Sequence, residues 1–267
     1  MKLGIRYITN VTGRGVALAT PGLKQKLMVY LLKRSLKDVS SLFFQNSNDM
    51  QFFKNCKIAT PSVYRQIPGS GVNLEKYSVI AYPKANEGKM NFLFISRVLK
   101  QKGIDQYIEA AAIIRQNHPH CIFHVLGDTV PSYEGILKTA HEKGYIVYHG
   151  RVNNVGDYIA TSNCTIHPSY YPEGMANVIL ESAAVGRPVI TTDHPGCREG
   201  VTDEVTGYII KPKDTTSLVN AIEKFLMLSH DEKVIMGVKG RKKIEKEFDR
   251  NIVTNAYIEE IKKIFAS

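Results

Sequence analysis

The stretch NFLFISRVLKQKGIDQYIEAAAIIRQNHPHCIFHVLG, residues 91–127, decides the fold. NFLFIS (91–96) is a short apolar run bounded by polar residues, the signature of a buried strand. GIDQYIEAAAIIRQ (103–116) then spaces its apolar residues three and four apart, as an amphipathic helix does, and CIFHVLG (121–127) is a second short apolar run. A strand, a helix and a strand joined in this way form a right-handed crossover with the two strands parallel. The unit then repeats. PSYEGILKTAHEKG (131–144) predicts a helix closed by Gly144, YIVYHG (145–150) a third strand, VGDYIAT (155–161) a short helix and NCTIHPS (163–169) a fourth strand. RPVITT (187–192) and GYIIK (207–211) supply a fifth and a sixth. The expected fold class is α/β, with one complete doubly wound, Rossmann-like parallel sheet covered by helices on both faces.

Outward from this core the composition changes. The chain has 267 residues, 43% of them hydrophobic, which is ordinary for a globular protein. Residues 1–90 hold 14 Lys and Arg against 4 Asp and Glu, whereas residues 91–267 hold 21 of each, so the whole net charge of +10 sits in the first third. An acidic partner for that third, whether anionic lipid, nucleic acid or a phosphorylated substrate, is one reading, and a solvated basic face is the other. LKQKLMVYLLKRSLKDV (23–39) is a basic amphipathic helix, which either lies on an anionic membrane surface or packs its apolar stripe into its own domain. SLFFQNSNDMQFF (41–53) reads as a strand running into a helix, and IPGSGVNLEKY (67–77) as a Gly/Pro linker. One helix and one or two strands are too few to close a second α/β domain.

The expected organisation is a partial N-terminal domain over residues 1–75, a linker over 76–90, a ligand-binding α/β domain over 91–248 and a C-terminal helix over 249–267 that packs back toward the N-terminal part. The C-terminal stretch 231–265 reads as two helices with Asp249 near the break. Its basic cluster Lys239–Lys246 is balanced by acids and lacks interleaved aromatics, so no nucleic-acid partner is expected. No run approaches the ~20 apolar residues of a membrane span, and Met1–Asn10 has no signal-like block, so a cytoplasmic location is expected. Cys56, Cys121, Cys164 and Cys197 are too far apart in sequence to suggest a disulfide framework or a zinc site.

Ligands of open α/β sheets bind where strands end and helices begin. SRVLKQKG (96–103) puts Arg97 and Lys102 after the first strand, two cations suited to a diphosphate. YHGRV (148–152) turns at Gly150, so the backbone at Arg151 and Val152 can border a planar base. PSYYPEGMANVILESAAVGRP (168–188) sets Glu173 and Glu181 eight residues apart. A helix beginning near Gly174 offers the amides of Gly174, Met175, Ala176 and Asn177 as an anion cradle. Eight residues at ~1.5 Å each separate the carboxylates by roughly 12 Å along the axis, too far for a hydrolytic pair at ~5 Å. The two acids suit the two ends of one elongated ligand, a sugar and a ribose. No P-loop, GxGxxG or DxD motif is present, so no metal is expected, and fixed cations with amide dipoles would stabilise a departing diphosphate.

These motifs, in this order, resemble the retaining GT-B glycosyltransferases of family 4, which share the glycosyltransferases group 1 domain. SRVLKQKG, HGRV, PEGMANVILE with AAVGRPVITT, and PGCREGVTDEVTGYIIKPKD carry the resemblance over nearly all of residues 91–225, and PGCRE is most similar to transferases of bacterial capsule, exopolysaccharide and lipopolysaccharide synthesis. The resemblance implies transfer of a sugar from a nucleoside diphosphate sugar, a UDP-sugar above all, to a growing lipid-linked glycan with retention of configuration. It implies that Arg97, Lys102 and Glu173 are catalytic, with Arg97 and Lys102 on the diphosphate and Glu173 on sugar hydroxyls. Gly174 to Asn177 would assist through their amides, Glu181 would hold the ribose, and Arg151 and Val152 would border the base. Residues 1–90 resemble the end of the family's N-terminal domain, with ITNVTGRG (8–15) as a loop by the cleft. A truncated or split transferase, weakly active and associated with the inner membrane face, is therefore expected. The alternatives are a non-catalytic nucleotide-sugar-binding module or subunit, and a nucleotide-sugar epimerase.

Overall fold

The computed structural model describes residues 5–84 and 88–266. The masses of the fold are two parallel sheets. The smaller is built from β1 (Ile8–Val11), β2 (Ser41–Phe44) and β3 (Tyr64–Gln66), in the order β1-β2-β3. Between them lie α1 (Gly15–Ala19), α2 (Leu23–Ser35) and α3 (Ser47–Asn55). The larger sheet contains β4 (Met90–Ile95), β5 (Cys121–Leu126), β6 (Val147–Gly150), β7 (Cys164–His167), β8 (Val189–Thr192) and β9 (Gly207–Ile210). Its helices are α4 (Ile104–Asn117), α5 (Pro131–Glu142), α6 (Val155–Thr161), α7 (Asn177–Ala184) and α8 (Thr215–Met227), followed by α9 (His230–Glu247) and α10 (Arg250–Ala266).

The larger sheet runs β6-β5-β4-β7-β8-β9 with every pair parallel. The strand order reverses between β4 and β7, which opens a crevice at their C-terminal ends. Strands buried on both faces need continuous apolar sequence, and β4 provides it with Phe92, Leu93 and Phe94 all buried. Phe92 stacks on Phe123 of β5 at 4.9 Å between ring centroids, and Tyr107 of α4 spends its hydroxyl on the carbonyls of Phe92 and His124.

The smaller sheet corrects the sequence reading of the first third. The loop expected at ITNVTGRG is a strand over Ile8–Val11, paired in register with Ser41–Phe44, and only Thr12–Arg14 remains loop. Among the described residues this part holds three strands and three α-helices, where one helix and one or two strands were expected. ITNV (8–11) and YRQ (64–66) are not continuous apolar runs, so no local pattern marks β1 and β3 as strands. Of the expected N-terminal part and linker, residues 1–4 and 85–87 lie outside the described residues.

α10 packs against the smaller sheet. Val253, Ala256 and Tyr257 meet Phe43 and Ile67, and Glu260 forms an ion pair with Arg65 at 2.7 Å. A backbone bridge between Val72 and Asp249 ties the chain entering the larger sheet to the turn that leaves it. Among the described residues no helix is long and apolar enough to cross a membrane.

Candidate active site

The site is built at the C-terminal ends of β4 and β7. After β4 the chain passes Ser96 and Arg97 and enters a 3-10 turn, Lys100–Lys102, which ends at Gly103 with φ +78°. A side chain at Gly103 would place its Cβ 2.2 Å from the Pro168 carbonyl oxygen, so glycine is what lets this turn lie against the end of β7. Lys102 is thereby buried, with Nζ 2.7 Å from Glu173 Oε1 and 5.0 Å from the centre of the Tyr171 ring. Arg97 is exposed and makes no hydrogen bond or ion pair among the described residues.

Glu173 also accepts from Ser169 Oγ at 2.8 Å and lies 3.3 Å from His167 Nε2. Burial alone would raise its pKa, but the hydrogen bond and charge of His167 and the Lys102 ammonium overcome that and hold the carboxyl well below the usual range. Glu173 is thus an anion at neutral pH, unsuited to hold a proton there and suited to accept hydroxyl hydrogen bonds. His167 Nδ1 is buried without a partner, and the Cys197 thiol, whose pKa burial pushes up to about 12, completes a group within 4.8 Å. Histidine, carboxylate and thiol are a plausible ligand set for a soft cation, but the Lys102 ammonium already sits against the carboxylate, and a metal would have to displace it.

Arg97, Lys102, Glu173, Gly174 and Met175 line one cavity of about 340 Å³ together with Thr12 and Gly13 of the loop after β1 and Gly15 at the start of α1. The two parts meet closely here. Gly174 N donates to Thr12 O at 3.0 Å, Asn46 Nδ2 donates to Gly174 O at 2.9 Å, and a Cβ on Gly13 would lie 2.7 Å from Gly174 N.

The amide cradle expected from sequence is corrected. α7 begins at Asn177, three residues later than Gly174, because the preceding backbone is used elsewhere. Gly174 N is bonded to Thr12 O and Ala176 N to Gly196 O at 2.8 Å, so of the four amides those of Met175 and Asn177 have no partner among the described residues.

Five expected site residues do not line this cavity: Ala176 and Asn177, just beyond Met175, and Glu181, Arg151 and Val152. Glu181 accepts from the Tyr77 hydroxyl, with Lys76 and Arg250 nearby, and shares no partner with Glu173. Burial raises the Glu181 carboxyl above its ordinary value against those three opposing groups, and burial with the Glu181 charge pushes Tyr77 to about 12. Val152 and Tyr77 both pack on the cluster of Leu93, Leu126, Ile159 and Val185, while Arg151 points into solvent 3.6 Å from Asp128. A second cavity of about 410 Å³ lies by this group, lined by Lys76, Tyr77, Asn153, Asn154 and Asp157 among others. A further cavity, of about 630 Å³ between Gln45, Gln66, Met175, Glu199 and Phe248, holds neither Arg97 nor Lys102.

His167, Ser169, Tyr171 and Tyr77 were not singled out from sequence. His167 and Ser169 had a signal: polar residues at the C-terminal end of a buried strand in HPS (167–169). Tyr77 had none, since only the tertiary fold brings it to Glu181.

Residues 80–243, more than half of the chain, match the model of the family described as glycosyl transferases group 1. The chain belongs to that family. Among curated relatives it is 24% identical over 266 residues to the N,N'-diacetylbacillosaminyl-diphospho-undecaprenol alpha-1,3-N-acetylgalactosaminyltransferase of Campylobacter jejuni, covering 93% of this chain and 68% of that protein. It is 26% identical to the capsular polysaccharide biosynthesis glycosyltransferase CapM of Staphylococcus aureus, covering 86% of this chain but 57% of CapM. A solved structure of Anabaena Alr3699/HepE with UDP and glucose matches 97% of this chain and 72% of its own, with a TM-score of 0.81 at 17% identity. Sucrose-phosphate synthase from Thermosynechococcus elongatus matches 99% and 69%, with a TM-score of 0.83 at 20% identity. These likenesses show the GT-B fold, with its Rossmann-like six-stranded domain. The curated relatives extend well beyond the part this chain matches, which is 68%, 57% and, for the amylovoran biosynthesis glycosyltransferase AmsK of Erwinia amylovora, 61% of their lengths.

Proposed function

We propose that this chain binds a nucleoside diphosphate sugar, a UDP-sugar in the first instance, and transfers the sugar to a lipid-linked glycan with retention of configuration. The observation that carries the reading is the cavity at the β4/β7 switch, where Arg97, without a partner among the described residues, and a buried Lys102 flank the carboxylate of Glu173. The diphosphate sits against Arg97 and Lys102, whose charges offset the negative charge that grows as the sugar–phosphate bond breaks. Glu173 accepts hydrogen bonds from sugar hydroxyls and fixes the ring. The free amides of Met175 and Asn177 reach the phosphate oxygens. Glu181 holds the ribose once Tyr77 yields part of its hydrogen bond, and the base lies by Val152 and Arg151. In this reading residues 91–248 are the donor-binding domain, and no metal is needed while two side-chain cations serve the diphosphate.

The solved HepE complexes, described with UDP, glucose and UDP-glucose, support the donor class, and the Campylobacter relative, named for a diphospho-undecaprenol substrate, supports the acceptor class. A second reading is a non-catalytic donor-binding module or subunit that uses the same cavity.

Incubation with a panel of UDP-sugars and a polyprenyl-diphosphate glycan separates the two. Product whose new linkage keeps the donor's anomeric configuration by NMR supports the transferase. Binding of UDP-sugar without product supports the subunit, and the absence of both contradicts each.

A further inference from the structure

The cavity of about 630 Å³ lies where the chain crosses between the two sheets. Ile67 and Pro68 open the first crossing, just after β3, and Phe248 caps α9 at the second. Val72 N donates to Phe248 O at 2.8 Å and Arg250 N to Val72 O at 3.1 Å, so the crossings are bonded to each other and fix this side of the cavity. The other side is a wall shared with the cavity of Arg97, Lys102 and Glu173. Asn46 Nδ2 donates to the carbonyls of Glu173 and Gly174, at 3.3 and 2.9 Å, and Met175 lines both cavities. A side chain on Gly174 would collide with Gln45 and with the Thr12 carbonyl, so the wall leaves no passage from one cavity to the other.

The lining selects a neutral ligand rich in hydroxyls. Its charged groups among the described residues are Lys246, Glu199 and Glu247. Both carboxylates have partners, since Glu199 accepts from Gly196 N at 2.9 Å and Glu247 pairs with Lys243 at 2.7 Å. With carboxylates outnumbering the ammonium, a phosphate is disfavoured. Asn46 spends its amide on Asp49 and on the shared wall, but Ser47 and Gln66 make no side-chain hydrogen bond among the described residues. Gln45 is 5% exposed, and its one side-chain partner among those residues is Ser70 Oγ at 3.5 Å, the outer limit of a hydrogen bond. Two carboxamides and a hydroxyl, able both to donate and to accept, match sugar hydroxyls, which do both as well. Ile67, Pro68 and Ile252 offer an apolar surface to the C–H face of a pyranose ring, and the volume is that of a small-molecule site.

We propose that this cavity is a second, non-reacting saccharide site, which binds neutral pyranose units through Gln45, Ser47 and Gln66. Its lining comes from the ends of β2 and β3, the loop before α7 and the α9–α10 turn, so the occupant bridges the two sheets at the crossings. The site goes beyond the proposed transfer reaction and uses none of the side chains assigned to the donor.

The test is saturation-transfer NMR and calorimetry on the full chain with the methyl α-glycosides of glucose, galactose and N-acetylglucosamine, and with inorganic phosphate as the anionic control. At least one glycoside should bind saturably to the wild type without UDP present, and saturating UDP should leave it bound. Ser47 and Gln66 are exposed, and replacing them leaves the Asn46 cap of α3 intact. Ser47→Ala with Gln66→Ala should therefore weaken the glycoside by about tenfold, the loss of two neutral hydrogen bonds, with circular dichroism and UDP affinity as in the wild type. Glycoside binding measured without UDP reads this site alone, so its failure is distinct from a failure of the transferase reading. The proposal is overturned if no glycoside binds, if UDP or phosphate displaces the bound glycoside, or if the double variant binds it as tightly as the wild type does.

Discussion

Lys102 Nζ lies 2.7 Å from Glu173 Oε1, with the two side chains only 10% and 15% exposed. At this burial the attraction between the charges is offset by the cost of removing both from water, so the net worth of the pair is modest. Losing one partner is costly, because the other stays buried. Lys102→Ala is expected to destabilise the protein by about 2–4 kcal/mol. Because Glu173 is held below its ordinary 4.5 in the folded protein, its contribution is present above that pH and lost as pH falls through the folded value. Urea unfolding at neutral pH and under acid conditions checks both points. The gap between wild type and Lys102→Ala should shrink as Glu173 protonates.

Arg187 is fully buried, and no carboxylate accepts from it among the described residues. Its guanidinium donates to the carbonyls of Ile159, Ile80, Ala81 and Ala160, at 3.2, 3.0, 2.9 and 2.7 Å. It therefore ties the segment entering β4 to the end of α6. Burial lowers its pKa to about 10, with Tyr82 opposing, so the group remains charged at neutral pH. Lysine has three donors on one atom and cannot span these carbonyls. Arg187→Lys should cost about 3 kcal/mol or more, read by chemical denaturation. A loss below ~1 kcal/mol would refute this role.

His124 Nδ1 lies 2.9 Å from His149 Nε2, and its Nε2 is 3.2 Å from Asn91 Oδ1. Tyr158 reaches His149 from the other side. Burial, helped by the His149 charge, lowers the His124 pKa from 6.5 to about 4. Between those values the unfolded chain binds more protons than the folded one, so stability is full above 6.5 and falls as pH drops toward 4. With partial exposure the loss should be about 1–2 kcal/mol. The pH dependence of the melting temperature should flatten over this window in His124→Gln, and an unchanged slope would place the effect elsewhere.

The larger sheet was legible in the sequence because each strand is a short apolar run and each helix has its own period, as in NFLFIS and GIDQYIEAAAIIRQ. The smaller sheet was not. β1 and β3 are four and three residues long, and their hydrogen bonds come from register with β2 rather than from any local pattern. At the site, Arg97, Lys102 and Glu173 could be read from their places at strand ends. The start of α7 could not, because Gly174 and Ala176 give their amides to Thr12 and Gly196, contacts that exist only in the folded chain. The Tyr77–Glu181 hydrogen bond was invisible for the same reason.

The central claim is that a nucleoside diphosphate occupies the cavity of Arg97, Lys102 and Glu173 while its ribose is held at Glu181. Calorimetric titration of UDP into wild type, Arg97→Ala and Glu181→Ala tests it most directly. Saturable binding to wild type is predicted, weakened by at least about tenfold in each variant, as the loss of a charged hydrogen-bonding partner requires. Equal affinity in all three, or no binding to wild type, would contradict the account.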